Sequence, residues 1–242
     1  MEPRIPRDQS RPFDAHPRSL RELAAYLKAD LRRYLATGAS SSLKVILSTQ
    51  GFWAVASLRW LTYLYVRFRR IPIVGPIVAI YATIHFKLIQ IITGISLPIS
   101  VSIGPGLYIG HMDAIVVSGD AVIGKNCNLA TQVVIGIGER NGLLGVPRIG
   151  DRVFVGPGAK ILGPVAIGND VAIGANAVVV DDLPDRAVAV GVPARIVGYH
   201  GSFKYIHYYG MEQDPERVKS LARVTPAQDQ RSHSSDSASR NA

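Results

Sequence analysis

The sequence predicts a mainly β chain, a parallel β-helix built on a six-residue repeat, preceded by an α-helical, apolar N-terminal region. Three observations support this. Aliphatic residues return at every sixth position between Leu97 and Val179, the residue after the aliphatic is usually glycine, and residues 1–96 lack this pattern. A period of six fits neither a helix nor an alternating strand, but it fits a three-sided coil that turns one aliphatic inward on each side.

The six-residue register has two breaks. One is a slip of two residues between Ile115 and Val117, and the other is a loop of about twelve residues from Ile137 to Arg148. A β-sandwich is disfavoured because its strands have no reason to share one six-residue register. The predicted inward positions are Leu97, Ile103, Ile109, Ile115, Val117, Ile123, Leu129, Ile135, Ile149, Val155, Ile161, Ile167, Ile173 and Val179.

Composition divides the chain into five regions. Residues 1–18 hold four prolines among charges and are expected to be disordered. Residues 19–96 form the helical, basic and apolar region, and residues 97–198 form the β-helix. Residues 199–222 carry aromatic side chains suited to a cap over the last coil, and residues 223–242 read as a disordered tail rich in Ser, Gln and Asp.

Three helical stretches are predicted in the N-terminal region. An amphipathic helix begins after the N-cap Ser19 and ends before Gly38, because its leucines recur at spacings of three and four. A second stretch runs over residues 43–68 and a third, strongly apolar one over residues 77–95. The third approaches membrane-spanning length, but Lys87 near its middle favours a helix packed on the β-helix or lying in a membrane surface.

Charge is concentrated at the N-terminal side. Residues 1–96 hold 14 Lys and Arg against 5 Asp and Glu, whereas residues 97–198 hold 7 against 8. The basic residues lie among Trp, Tyr and long aliphatic runs, which favours an anionic membrane surface over nucleic acid. The single cysteine, Cys127, excludes an intramolecular disulfide and indicates a packed small residue. We therefore expect a cytoplasmic protein in peripheral contact with the inner face of the membrane.

The breaks in the repeat are where chemistry is expected, because a regular coil offers no reactive group. His111 lies just before the two-residue slip and is the only histidine between Leu97 and Gly198. The loop from Ile137 begins about one and a half turns later, so the sequence predicts that His111 and the loop share one edge of the coil.

These residues resemble the serine acetyltransferase-like branch of the left-handed β-helix, or hexapeptide-repeat, acyltransferases. The resemblance covers about residues 96–198 and rests on the segments IGHMDAIVV, VVIGIG, VGPGAKILG, IGANAVV and GVPARIVG. It implies a left-handed coil, acetyl-CoA as the acetyl donor, and His111 as the general base that takes the proton of an acceptor hydroxyl.

The chain departs from this family at three polar positions. Ser96 and Gly110 replace aspartates, and Val146 replaces a substrate-binding histidine, with Gly145 beside it replacing an arginine. The loop re-enters the coil through apolar residues, which suits a sugar better than a zwitterion. The sequence therefore favours an O-acetyltransferase acting on a sugar in surface-polysaccharide biosynthesis. Serine O-acetylation for cysteine biosynthesis is the alternative, and an inactive scaffold is the third interpretation.

The resemblance also implies which residues bind the acceptor and acetyl-CoA. Glu139, Arg140 and Val146 are predicted to bind the acceptor. No metal is expected, since a zinc site of the carbonic anhydrase type needs three histidines. Flat faces and an active edge that needs a second wall predict a homotrimer. The residues expected to bind acetyl-CoA are Gly136, Ile137, Gly156, Pro157, Lys160, Ala175 and Arg195.

Overall fold

The computed structural model describes residues 16–222, so the predicted disorder of residues 1–15 and 223–242 lies outside the described residues. Helices come first and short parallel strands follow, as the sequence predicts. The helices of the N-terminal region are α1 (Leu20–Ala36), α2 (Ser42–Ser48), α3 (Gln50–Phe68) and α4 (Val74–Thr93).

The strands stack into three parallel sheets, which we call faces A, B and C. Face A contains β1 (Ile95–Ser96), β3 (Ile115–Val117), β6 (Val134–Gly136), β11 (Lys160–Leu162) and β14 (Val178–Val179). Face B contains β2 (Ser102–Ile103), β4 (Val122–Ile123), β9 (Arg148–Ile149) and β12 (Ala166–Ile167). Face C contains β5 (Asn128–Leu129), β10 (Phe154–Val155), β13 (Ala172–Ile173), β15 (Val188–Val190) and β16 (Arg195–Gly198), the last of them antiparallel.

The predicted inward series is confirmed, because all fourteen aliphatic positions are buried in one core. The glycines that follow them lie against the neighbouring coil: a Cβ on Gly104 would come 2.7 Å from the Lys125 nitrogen, and one on Gly156 would come 2.8 Å from the Ile173 oxygen. Cys127 is also buried in the core, which raises the pKa of its thiol to about 12. Its predicted role as a packed residue is therefore confirmed.

The two-residue slip lies inside a strand of face A. Ile115 pairs with Ile95 and Val117 pairs with Ile135, so both ends of β3 point inward on the same face. A strand alternates sides with period two, so adding two residues keeps the aliphatics inside. The slip therefore leaves the core intact and changes only how far the next corner lies from the previous one.

Helix α1 begins as predicted, because the Ser19 side chain accepts a hydrogen bond from the Glu22 nitrogen. The single stretch predicted over residues 43–68 is divided into α2 and α3 at Thr49, whose backbone is extended. Helix α4 ends at Gly94, which adopts the left-handed conformation with φ of 68°. Glycine is favoured at that cap because it has no Cβ.

Buried charges fasten the helices to the first coils. The Arg59 side chain on α3 donates to Asp30 on α1 at 2.9 Å and to the carbonyl of Gly104 at 2.7 Å. Asp30 accepts from the backbone nitrogens of Gly106 at 2.7 Å and Leu107 at 3.0 Å. Both ionic side chains are almost wholly removed from solvent. This cluster, which we call the helix–coil clamp, satisfies its charges with each other and with the coil backbone.

The segment after the last coil runs back along face C. The ring of Tyr205 stacks on Phe154 at 4.5 Å, its carbonyl accepts from Asn128 at 3.1 Å, and the Ser202 hydroxyl donates to the carbonyl of Arg152. This segment does not extend the last strand of face C; β16 does so by pairing with β15. Residues 210–222 belong to a separate unit that contains α5 (Pro215–Ala222).

We expect Asp30→Asn to lower the free energy of unfolding by about 3 to 5 kcal/mol, because it leaves the Arg59 guanidinium buried without its counter-charge. Urea titration followed by helical circular dichroism measures the change. Glu212→Gln removes an exposed carboxylate and serves as the matched control. A change in Asp30→Asn no larger than in the control would contradict the role of the clamp.

Candidate active site

His111 lies on the corner where the chain passes from face C to face A. It follows Ile109, which is fully buried, and it precedes β3. The imidazole is exposed, as expected for a group that must meet a substrate. The part of the sequence just before it is held on several sides by the N-terminal helices.

The backbone of Ile109 is anchored by α1 and α3. The Tyr34 hydroxyl donates to the Ile109 carbonyl and accepts from its nitrogen, both at 3.2 Å. Gly51 in the first turn of α3 packs so closely that a Cβ would come 2.1 Å from the Ile109 oxygen. Burial raises the pKa of the Tyr34 phenol, so it remains a neutral donor at physiological pH.

The corner that carries His111 is irregular. Other corners use one left-handed residue at the third position after the inward aliphatic, such as Asn126 with φ of 57° and Asn176 with φ of 56°. Here Asp113 and Ala114 are both left-handed, with φ of 108° and 51°. Left-handed conformations of non-glycine residues cost energy and persist only where the surroundings enforce them.

The surroundings that enforce this corner are the end of α4 and the next coil. The Asp113 nitrogen donates to the Thr93 carbonyl at 3.2 Å. The Asp113 carbonyl accepts from the Gln132 nitrogen and from the Thr131 hydroxyl, both at 3.1 Å. His111 therefore stands on a turn that is held from both sides, which favours a fixed position for its imidazole.

The predicted loop is a β-hairpin. Strands β7 (Gly138–Arg140) and β8 (Leu143–Gly145) pair antiparallel through the turn Asn141–Gly142. Both turn residues have positive φ, 53° and 76°, which is typical of the Asn-Gly turn of a tight hairpin. The Asn-Gly signal was present in the sequence, but the loop prediction did not use it.

Charged side chains gather at the hairpin. Arg140 donates to Asp182 at 2.8 Å and lies 3.6 Å from Asp181, and Arg195 lies 3.5 Å from Asp181. A hydrogen bond from the Ala166 nitrogen, together with Arg140, lowers the pKa of Asp182. We call these four residues the hairpin charge cluster. The sequence pointed to the two arginines but missed Asp181 and Asp182, which nothing in the repeat distinguishes from other corner residues.

His111 and the hairpin do not share one edge. His111 precedes Ile115 on face A, whereas the hairpin follows Ile135 on the same face and leads into face B. The sequence interpretation was wrong because two positions share an edge only when whole turns separate them, and about one and a half turns do not meet this condition. Without the two residues of the slip, the 26 residues become 24, which correspond to four sides of a three-sided coil. The histidine and the hairpin therefore flank face A on its two opposite edges.

The residues predicted to bind acetyl-CoA divide between these edges. Gly156, Pro157 and Ala175 follow inward residues of face C, so they lie on the edge that carries His111. Gly136 and Ile137 lie at the base of the hairpin, and the ion pair with Asp181 brings Arg195 to that edge. Lys160 is exposed on β11 of face A between them, where its ammonium donates to the Gly158 carbonyl at 3.0 Å.

Small exposed residues and a nearby cation suit a pantetheine arm ending in phosphates. Pro157 and Ala175 are exposed and offer little obstruction, and Lys160 supplies positive charge beside them. A shallow groove on face B, lined by Gly124, Gly150, Asp151 and their neighbours, contains none of the predicted site residues. Within residues 16–222 no three His, Cys, Asp or Glu side chains are grouped so as to hold a metal ion.

Comparison with known proteins defines the class. Residues 147–181 match the family model described as bacterial transferase hexapeptide (six repeats), which agrees with the three-faced coil. The chain is thus a hexapeptide-repeat acyltransferase with left-handed winding. It is 34% identical over 174 residues to a serine acetyltransferase of Mycobacterium tuberculosis, covering 71% of this chain and 72% of the relative. The chain belongs to the serine acetyltransferase family.

Solved structures agree with this assignment. A Brucella abortus serine acetyltransferase in complex with coenzyme A has a TM-score of 0.66 at 26% identity, covering 75% of this chain and 70% of that one. A Neisseria gonorrhoeae serine acetyltransferase in complex with serine has a TM-score of 0.64 at 28% identity, covering 74% and 71%. The predictions of an O-acetyltransferase and of acetyl-CoA as its donor are confirmed.

The prediction of a sugar acceptor in polysaccharide biosynthesis is wrong. The relatives are serine acetyltransferases, which was the stated alternative. The physical argument for a sugar acceptor was also incomplete. It treated the apolar residues Leu143–Val146 as the rim of the acceptor site. The folded chain also places Arg140 and Arg195 at this edge, together with Asp181 and Asp182. Charged partners for a zwitterion are therefore present, at positions other than those aligned with the family.

We expect Gly94→Ala to lower acetyl transfer at least 10-fold, because its Cβ would lie 3.1 Å from the Cα of Asp113 and would displace the turn that carries His111. Gly38→Ala is the matched control, since Gly38 is also left-handed but has no atom within 4 Å of the added Cβ. Both variants should lose similar stability from backbone strain. Equal activities of the two variants would show that the Gly94 contact does not position the site.

Proposed function

We propose that the chain is a serine O-acetyltransferase, which transfers the acetyl group of acetyl-CoA to the hydroxyl of L-serine and makes O-acetyl-L-serine for cysteine biosynthesis. The observation that carries the proposal is the length of the match to a serine acetyltransferase. It spans 174 residues, more than the 146 residues from position 97 to position 242, so it includes part of the helical region that precedes the coil.

His111 acts as the general base in this proposal. Its imidazole accepts the proton of the serine hydroxyl as the hydroxyl oxygen attacks the acetyl carbon of the thioester. The carbon–sulfur bond then breaks, and the imidazolium returns the proton to the departing sulfur, so that coenzyme A leaves as the thiol. The exposed corner and the two-sided support of Asp113 suit a base that needs access and a fixed position. A base of this kind contributes about 100- to 10,000-fold to the rate.

Arg140 is our candidate for the serine carboxylate. A guanidinium has five donors in a rigid fork, and the ion pairs with Asp181 and Asp182 leave donors for a third carboxylate. Asp181, more than half exposed, is placed to meet an ammonium group near the same guanidinium. Glu139 is exposed and Val146 half-buried on the same hairpin, where they would border the acceptor.

The separation of His111 from the hairpin supports a shared site. Within one chain the two lie on opposite edges of face A, so one copy alone does not bring Arg140 to His111. A closed homotrimer repeats one interface three times and can set the His111 edge of each copy against the hairpin of the next. We therefore propose a homotrimer with acetyl-CoA and serine bound between neighbouring copies.

We expect the unaltered chain to consume acetyl-CoA with L-serine far faster than with a panel of sugars and sugar nucleotides. His111→Ala should lower turnover with L-serine by about 100- to 10,000-fold, because the general base is lost. His200→Ala removes another exposed histidine and serves as the control. No turnover of L-serine by the folded protein would reject the acceptor, and an active His111→Ala protein would reject the base.

Mixing two inactive variants tests the shared site. His111→Ala and Arg140→Ala chains should each be nearly inactive. When they are co-refolded in equal amounts, about a quarter of the unaltered activity should return. The reason is that a quarter of randomly formed interfaces pair an intact histidine edge with an intact hairpin. Refolding each variant alone is the control. Failure to recover activity in mixed assemblies confirmed by mass spectrometry would place both residues in one copy.

A further inference from the structure

Helix α4 presents an apolar face that no residue between 16 and 222 covers. Its buried residues, Gly75, Ala82 and Thr93, lie on one side, and the half-buried Ile89 packs against the coil core. The opposite side carries an arc of aliphatic and aromatic residues and no charge. The members of this arc, which we call the α4 outer face, are Ile77, Ile80, Tyr81, Ile84, Leu88, Ile91 and Ile92, between 43% and 79% exposed.

Helices α2, α3 and α4 and the turns between them carry charge of one sign. Residues 31–112 contain eight Lys and Arg and no Asp or Glu. Arg67, Arg69 and Arg70 are exposed at the turn that leads from α3 into α4, and Lys87 is exposed at the margin of the outer face. A second copy of the chain would bring the same positive charge and be repelled, whereas an anionic lipid surface would attract both the charges and the apolar arc.

The packing of α4 favours a helix lying in the plane of such a surface. It has 20 residues with a mean hydropathy of 1.5, and only 11% of its apolar window is buried, so by length and composition it could also cross a membrane. However, α3 packs along α4 and is tied to the coil through Arg59. Moving α4 across a bilayer would carry α3 with it and break the buried pair with Asp30.

We propose that the α4 outer face and the arginines of the α3–α4 turn form a docking surface for anionic lipid bilayers. The apolar arc enters the boundary between headgroups and acyl chains, and the arginines contact the headgroups. Tyr81 on the same arc is a side chain typical of that boundary. In this arrangement the coil lies on the solvent side of the lipid surface. The proposal does not depend on which acceptor the enzyme uses.

Vesicle sedimentation with the full chain tests the apolar part of the surface. The chain should sediment with vesicles of equal parts phosphatidylcholine and phosphatidylglycerol at low salt, and less with phosphatidylcholine alone. Ile84→Gln/Ile91→Gln should abolish sedimentation, whereas Val197→Gln/Val218→Gln, which changes exposed apolar residues elsewhere, should not. Thermal unfolding of both variants should match that of the unaltered chain, because all four side chains are exposed.

The basic part is tested with a charge-matched pair. Arg67→Gln/Arg70→Gln should lower the partition coefficient about 30-fold, since each basic residue near an anionic surface contributes about 1 kcal/mol. Lys204→Gln/Lys219→Gln makes the same change in net charge and should have little effect. Salt of about 1 M, where the screening length is about 3 Å, should weaken binding of the unaltered chain.

The proposal is overturned if the unaltered chain fails to sediment with the anionic vesicles at low salt, or if the α4 variant sediments equally well. The proposal is also overturned if the unaltered chain does not bind vesicles but forms a soluble assembly that Ile84→Gln/Ile91→Gln dissociates. That result would assign the α4 outer face to contact with a second copy. Sedimentation lost only in the α4 and arginine variants supports the docking surface.

Discussion

The structure depends on fitting one aliphatic side chain per side into the narrow interior of the coil. Every inward position is buried, and the following glycine lies so close to the neighbouring coil that a Cβ on Gly104 or Gly156 would overlap backbone atoms. The interior has no room for polar chemistry, and the faces are occupied by strand pairing. The candidate base and the hairpin therefore lie at corners, the two that depart from the repeat.

The N-terminal helices hold the coil just before the corner that carries His111. Asp30 and Arg59 bind the backbone of the turn between Ile103 and Leu107, while Tyr34 and Gly51 hold Ile109, two residues before His111. Burying such charges is tolerated because each one meets a counter-charge or a backbone partner. The Asp113 nitrogen also donates to the Thr93 carbonyl, so the end of α4, whose apolar side faces outward, helps to hold the turn that carries the base.

Much of the fold could be predicted because the repeat is local information. A six-residue period identifies the inward residues from Leu97 to Val179, and the helix cap at Ser19 follows from four adjacent residues. Contacts between distant residues leave no such trace: Asp30 and Arg59 are 29 positions apart, and nothing in either segment marks their pairing. The edge of the hairpin was misassigned because about one and a half turns separate it from His111, whereas only whole turns return the chain to the same edge.

The error about the acceptor has a different cause, since it rested on absences at aligned positions. Losing one charge-assisted hydrogen bond costs about 1.5 to 3 kcal/mol, which made serine look unsuited to a site without the usual aspartates and histidine. That cost applies only if no other group takes over the interaction. In the folded chain Asp181 and Asp182 follow β14, about forty residues after the hairpin, yet they meet Arg140 there. A coil of short turns brings residues two or more turns apart onto one edge, so a polar group lost from the hairpin can be replaced from a later corner without any change in the motif.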